Sequence, residues 1–345
     1  MNNTTYNHSV AVGIDVAKAT LSVCVRLQDG NEHALSIRNI EMDIKGKLLP
    51  LVEHCTGKVV MESTGHYHWL VALLLTDAGL DVRVVNPLLA KQYTSGNIRK
   101  VKTDPADASG LARMAHIADN LPPPFSLGPR ALYVRKKLAM LHSMGKGLQI
   151  LNASYASVKD AQTILGQEDS VAVTSIRSAI MELTKALKTL ERECVRDAKR
   201  DVHTAEKTNL LVSIPGVSEF CAILALQWFQ VTPNTDAKSW IAYAGLDVSS
   251  RESGTWQGVC KLTKRGNVFL RRRLYNAAWG AVMNNADFKA YYEKLRTTKK
   301  RAHVEALTII ARKIVRTMFT IIQTGEVYDQ SKFMHRYLKD VPVQA

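Results

Sequence analysis

Three stretches of period-two patterning in the first 40 residues constrain the fold more than any other feature of this sequence. "SVAVGID" (9–15) alternates apolar and small residues, and "TLSVCVRLQ" (20–28) repeats the pattern after a short turn. "HALSIRNI" (33–40) follows the hairpin-type turn "DGNE". Strands joined this tightly run antiparallel, because a parallel pair needs a crossover of about a dozen residues or more. The next elements alternate in type. "EMDIKGKLLPLVEHC" has helical spacing with Pro50 placed to bend it, and "KVVMES" is a short buried strand. "HYHWLVALLLTDAG" is an apolar helix closed by glycine, and "DVRVVN" is a further strand. With a helix opening at Asp104, the order becomes βββαβαβα, that of an α/β ribonuclease H-like mixed sheet.

"LPPPFSLGP" (121–129) stops this pattern and marks a boundary, giving a first domain over residues 1–125. From about 130 to 208 there is almost no Gly or Pro and no strand signal. The recurrence in "IRSAIMELTKALKTLERECVRDAKRDV" predicts two long helices in a coiled-coil-like arm, 126–208, or equally a dimerisation surface. Residues 209–345 form a mostly helical third domain. There "NLLVSIPGVSEFCAILALQ" has the form of a helix-hairpin-helix, a motif whose backbone N–H groups can meet a phosphate. Ser218 stands where a second glycine is usual, so a packing turn fits equally well.

The chain of 345 residues is 46% hydrophobic, as globular proteins are. No apolar run is long enough to cross a bilayer, and no leader pattern opens the chain, so the expected location is the cytoplasm, without a membrane partner. Five scattered cysteines with no CxxC argue against a disulfide framework or a zinc site. The net charge of +15 is segregated: residues 1–125 hold 12 Lys+Arg against 12 Asp+Glu, whereas residues 251–345 hold 19 against 7. Runs such as "KLTKRGN", "LRRRLY" and "KLRTTKKRAH" are the footprint of a nucleic-acid binder. Arg99, Lys100, Lys102, Arg251, Lys264, Arg265, Arg271, Arg272 and Arg273 are the candidate contacts.

In "RKVKTDPADASGLARMA" (99–115), Asp104 before Pro105 reads as an N-cap, and Asp107 as a first-turn carboxylate favoured by the helix dipole. Taken alone, capping explains both. Asp15 and Glu62, however, end strands that neighbour each other in a ribonuclease H-like sheet, and the helix of Asp104 and Asp107 packs near that end. Four converging carboxylates need a cation to share, and Mg²⁺, or Mn²⁺ in its place, is the hard ion that suits them. Two such ions would stabilise the attacking and leaving oxygens of a phosphate. In "SSRESGTWQG" (249–258), Ser253 is by itself a turn residue. Its basic setting beside Arg251 would let its hydroxyl attack a phosphodiester.

These pieces together, "GIDVAK", "MESTGHY", "VVNP", "KTDPADA", "SIPGVSE", "YAGL", "RESG" and "KRGNVFLRRRLY", resemble the DEDD transposases of the bacterial insertion-sequence family numbered one hundred and ten, described as bridge-RNA-guided recombinases. The resemblance covers nearly the whole chain in the right order; the arm and Ser218 diverge. It implies a RuvC-like domain whose Asp15, Glu62, Asp104 and Asp107 hold Mg²⁺, joined by a coiled coil to a transposase domain with Ser253 as nucleophile. It further implies donor and target DNA chosen by a structured guide RNA, and dimers that assemble into a tetramer in which different protomers complete one active site. A metal-dependent nuclease of the Holliday-junction resolvase kind, a DNA invertase and a catalytically degenerate binding protein are the alternatives.

Overall fold

The computed structural model describes residues 9–63, 65–94, 104–119, 121–229, 236–249, 252–253, 256–257 and 261–332. At residues 88, 92–94, 104, 252, 253, 256, 257 and 261 it describes the backbone alone. The chain divides into two compact units, residues 1–132 and 133–345.

The first unit is built on five strands: β1 (Ser9–Val16), β2 (Thr20–Leu27), β3 (Glu32–Arg38), β4 (Lys58–Glu62) and β5 (Asp81–Val85). Their order is β3-β2-β1-β4-β5, with β2 antiparallel to its neighbours β1 and β3, and β4 and β5 parallel to β1. The expected meander is therefore present, and the order and directions are those of a ribonuclease H-like sheet. Between β3 and β4 the helical segment is broken into α1 (Glu41–Asp43), a π-helical turn (Ile44–Leu48) and α2 (Leu49–Val52). Pro50 supplies no N–H for the Gly46 carbonyl, so the helical ladder shifts there instead of ending.

Among the described residues this unit further holds α3 (Trp69–Asp77), α4 (Pro87–Thr94) and α5 (Asp104–Ile117). Alternation along β1 sends Val12, Ile14 and Val16 to one face, where Ile44, Leu48, Val71 and Leu75 bury them. Ala11 lies on the other face and packs with Val60, Leu111, Met114 and Ala115. Gly13 shares that second face. A Cβ there would run into the backbone of Ala108 and Ala112, so α5 lies directly on the strand.

The second unit holds two long helices, α6 (Pro129–Leu165, which starts in the first unit) and α7 (Val171–Lys199). Gly166 (φ +63°) takes part in the reversal between them. The two run antiparallel: Lys137 pairs with Asp197 at 2.8 Å near the open end, and Lys159 with Asp169 at 2.9 Å beside the turn. Leu138, Leu141, Leu190 and Cys194 bury the base of this hairpin in the unit's core. Toward the turn its apolar side chains are exposed, Ile164 by 83% and Val171 by 85%. Arg135 ties the base to its neighbours, donating twice to the Gln227 carbonyl (2.9 and 3.2 Å) and lying over the Trp228 ring.

The core around that base comes from α8 (Val202–Val212), α9 (Glu219–Phe229), α10 (Ala237–Tyr243), α11 (Val268–Asn284), α12 (Ala286–Thr297) and α13 (His303–Thr324). Two short ladders lie between α10 and α11: β6 (Val248–Ser249) with β9 (Lys261–Leu262), and β7 (Glu252–Ser253) with β8 (Trp256–Gln257). At the turn between α8 and α9, Gly216 (φ +80°) faces the backbone of Ala277 and Ala281 in α11. Ser218 accepts from the Cys221 N–H at 3.2 Å and caps α9. Both are the contacts of a packing turn.

Candidate active site

Asp15 and Glu62 are placed by strand register. In the parallel pairing of β1 with β4, Ala11 to Ile14 stand beside Lys58 to Met61, and the next step along each strand is Asp15 and Glu62. Both fall on the face shared by Gly13 and Val60, the one α5 covers, because side chains alternate. Both are half-buried.

The direction of α5 decides which of its ends meets them. Just past its last turn, the Ala118 carbonyl accepts from Lys58 Nζ at 3.4 Å, at the opposite end of β4 from Glu62. The helix therefore runs against β1 and β4, and its first turn lies toward their carboxyl ends. Asp104 is the first described residue of α5; the residues before it and its own side chain lie outside the described residues, and with them the expected cap. Asp107, half-buried, is one turn along, next to the Ala108 that packs on Gly13.

A second tether holds α5 from the sheet side. Glu32, the first residue of β3, accepts from Ser109 Oγ at 2.6 Å and from Arg26 at 2.9 Å. The Cys24 thiol points to the same carboxylate, and burial together with that charge pushes it up to about 11, which disfavours its thiolate. Sequence patterning passed over Gly13, Glu32 and Ser109. The glycine in "GID" is the one signal that could have shown the close approach.

The candidate set of Asp15, Glu62, Asp104 and Asp107 is all carboxylate, a chemistry that would suit a hard dication and not zinc or copper. Among the described residues no three His, Cys, Asp or Glu side chains stand close enough to hold an ion together, and the Asp104 side chain is outside that description. Asp15 and Glu62 on neighbouring strands, with the first turn of α5 toward the same end, fit such an ion by placement and chemistry.

Ser253 sits in β7, paired with Trp256 in β8, and its side chain lies outside the described residues. The structure does describe the stem beneath it. Gly245 (φ +67°) and Gly266 meet backbone to backbone, so neither position has room for a Cβ. Arg271 reaches back to the carbonyls of Ala244 (3.3 Å) and Gly266 (3.4 Å), and burial depresses its pKa. Thr263 bonds Asp247 through both backbone and side chain, closing the β6–β9 ladder. The "YAGL" and "KRGN" motifs thus build the base of the serine loop.

The other candidate nucleic-acid contacts separate by structure. Arg273 pairs with Glu191 and lies over the rings of Phe220 and Phe269, so like Arg271 it makes internal contacts. Arg272 is exposed and pairs with no carboxylate among the described residues. Lys264 (φ +54°) and Arg265 are exposed on the turn between β9 and α11. Arg99, Lys100, Lys102 and Arg251 lie outside the described residues. No helix among the described residues is long and apolar enough to cross a membrane.

Residues 12–131 match a family model described as a transposase, of the DEDD IS110 type, and residues 208–293 match one described as "Transposase IS116/IS110/IS902 family". Together the two matches take in more than half of the chain. A "Probable family 20 transposase" of Pseudomonas aeruginosa is 21% identical over 347 residues, which is 92% of this chain and 98% of that protein. The "Insertion element IS110 uncharacterized 43.6 kDa protein" of Streptomyces coelicolor is 25% identical over 160 residues, 46% of this chain. That match spans 38% of the Streptomyces protein's length. Among solved structures, Thermus thermophilus RuvC in complex with a Holliday-junction substrate aligns over 34% of this chain and 100% of that one, at 16% identity and a TM-score of 0.24.

Proposed function

Since the chain belongs to the IS110/IS116/IS902 transposase family, we propose that it cuts and rejoins the DNA strands of an insertion sequence and its target through a serine ester at Ser253. Asp15, Glu62, Asp104 and Asp107 hold Mg²⁺ in this reading. The observation that carries it is the placement of Asp15 and Glu62 side by side under the helix whose first turn bears the other two carboxylates.

The Ser253 hydroxyl attacks the phosphorus of one phosphodiester and gives up its proton. One bond from phosphorus to a deoxyribose oxygen breaks, and that strand leaves as a free hydroxyl. Attack by the hydroxyl of the other strand breaks the serine ester and returns a proton to Ser253. The number of phosphodiester bonds is unchanged, so no energy source is consumed. A bound dication supplies charge neutralisation at the reacting phosphate.

A structured guide RNA that pairs with both DNAs, and a tetramer built from dimers, belong to the same reading. The surplus of positive charge in residues 251–345 supports a polyanionic partner.

The test is to incubate the full chain with Mg²⁺, guide RNA and DNA carrying the element end. A covalent protein–DNA adduct is expected, lost in Ser253→Ala and in Asp15→Ala. Cleaved, unjoined ends without an adduct would sink the serine role and leave a resolvase-like nuclease in which water attacks.

A further inference from the structure

Where the base of the α6–α7 hairpin meets α11, the second unit has a groove of about 330 Å³, lined by all three helices. Its apolar lining is Leu141 and Leu148 from α6, Leu187 from α7 and Phe269 from α11. Its polar lining includes three amides, Gln149, Asn152 and Asn276, and two guanidiniums, Arg272 and Arg273, against one carboxylate, Glu191.

The two arginines are held differently. Arg273 pairs with Glu191 and lies over Phe220 and Phe269, which fixes one wall of the groove. Arg272 has no acidic partner among the described residues. With the Gln149 amide turned so that its oxygen faces the guanidinium, that oxygen accepts from both terminal nitrogens of Arg272, at 2.6 and 3.1 Å. This neutral clamp holds the guanidinium in place and leaves its charge uncompensated, an arrangement suited to a phosphate. The local field has the same sign: burial, then Lys146 and Arg272, hold the nearby His142 below its ordinary pKa.

The rest of the groove has the chemistry of a base pocket. An apolar interior accepts the faces of a flat heterocycle, and amides able both to donate and to accept can meet its edge. Asn152 spends one donor on the Leu148 carbonyl at 2.9 Å, which leaves its oxygen. A volume of 330 Å³ is at the small end of the roughly 300–1,000 Å³ range of ligand pockets, room for one nucleotide and not for a duplex. A paired base would have to leave its stack to enter.

We propose that this groove binds one unpaired nucleotide of a single-stranded nucleic acid, its base between α6, α7 and α11 and its phosphate on Arg272. The proposal deepens the function read from the active site, since it takes the partner to be nucleic acid. It involves neither Ser253 nor any of the four carboxylates. An RNA and a DNA strand offer the same base and phosphate chemistry, so the two are separated by experiment.

Gly145 gives a clean probe. It lines the groove from within α6, and a Cβ there meets nothing within 4 Å, so Gly145→Met fills the groove while favouring the helix. Binding of the full chain to labelled single-stranded RNA, single-stranded DNA of the same sequence and a fully paired duplex is measured by fluorescence anisotropy without divalent metal. Binding is thereby read apart from cleavage, and a failure of the serine chemistry leaves the result standing. Gly145→Met is expected to keep duplex affinity and weaken a single strand about tenfold. Arg272→Ala should lower the salt slope for that strand by about one. Loss confined to RNA or to DNA assigns the source of the nucleotide, and loss with both assigns it to either strand. Unchanged single-strand affinity in Gly145→Met, or an equal loss with duplex, overturns the proposal. Thermal melting of the variant checks that it is folded.

Discussion

The carboxylate end of the sheet and the serine loop are held by opposite means. Asp15 and Glu62 continue a register fixed over four successive residue pairs, and α5 lies against β1 so closely that Gly13 has no room for a Cβ. Ser253 is carried on two-residue strands above a base of two glycines and one arginine. The surroundings differ in charge as well: residues 1–125 are neutral, and residues 251–345 carry a surplus of 12. Groups that share one cation need positions fixed by regular elements, because about 1 Å of misplacement can cost ~10²-fold in rate. In the proposed reaction Ser253 would be esterified and then released, and what the structure describes near it is the fixed stem at the base of its ladder.

The sharpest way to break the comparison is to remove the chemistry from one region at a time. Asp15→Asn and Ser253→Ala are each expected to lower strand joining by at least about 10³-fold, an effect of the size seen when a group acting on the transition state is lost. They should differ in a second readout. Mg²⁺ binding to the folded state raises the melting temperature. That rise should persist in Ser253→Ala and shrink in Asp15→Asn. An identical rise in both variants would take Asp15 out of the metal set.

Steric substitutions come next. Gly13→Val forces a branched side chain into the backbone of Ala108 and Ala112, and should cost about 1–3 kcal/mol and roughly 10²-fold in joining as the first turn of α5 is displaced. Gly266→Val pushes on the Tyr243 carbonyl and the Gly245 backbone. It should lower adduct formation while the Mg²⁺-dependent rise in melting temperature remains. If Gly13→Val keeps full activity, close packing of α5 is not what sets the carboxylates.

Much of the first unit was legible because its signals are local. Period-two runs, short turns and closing glycines specify β1 to β3 and α3 without reference to distant residues, and the strand order follows once β4 and β5 are found. Legibility ended where meaning depends on contact. The glycine in "GID" signals a close approach without naming Ala108, some 95 positions away, as what approaches, and nothing in "HALSIRNI" or the turn before it says that Glu32 reaches Ser109. In the second unit the basic run "LRRRLY" reads as one patch, but its arginines are used differently: Arg271 holds the stem, Arg273 is tied to Glu191 and two rings in the wall of the groove, and Arg272 enters the same groove without an acidic partner among the described residues. Helical spacing turns successive side chains by 100°, so a run of three like charges on a helix does not all face one way, and which of them is taken up by internal contacts shows only in the fold.

The Glu32–Ser109 bond tests the tether of α5 with a smaller expected effect. Ser109→Ala removes one charge-assisted hydrogen bond, worth about 1.5–3 kcal/mol at most and less where water reaches it. Joining should fall several-fold without loss of the second unit's fold, and Glu32→Gln, which keeps an acceptor for the Ser109 hydroxyl, should lose less. If Ser109→Ala leaves the joining rate as it was, Gly13 packing alone positions the helix.

The smallest effect separates the two units by acid. In the first, hydrogen bonding to Arg38 and Lys47 holds the Asp43 carboxyl far below the usual carboxylate range. In the second, Lys137 holds Asp197 below that range at the base of the hairpin. Both folded-state values are depressed, so each group's contribution is fully present above its ordinary value of about 4 and is lost as pH falls through the folded value. The depression is deeper at Asp43, so its share persists to lower pH. On acidification below about pH 4, amide exchange should therefore quicken at the base of α6 and α7 before it does around β3 and α1. Lys137→Met should flatten the acid response of the second unit and leave that of the first unchanged. If the two units lose protection together in the parent protein, or if Lys137→Met leaves the profile of the hairpin base as it was, the Lys137–Asp197 pair is not its acid-sensitive anchor.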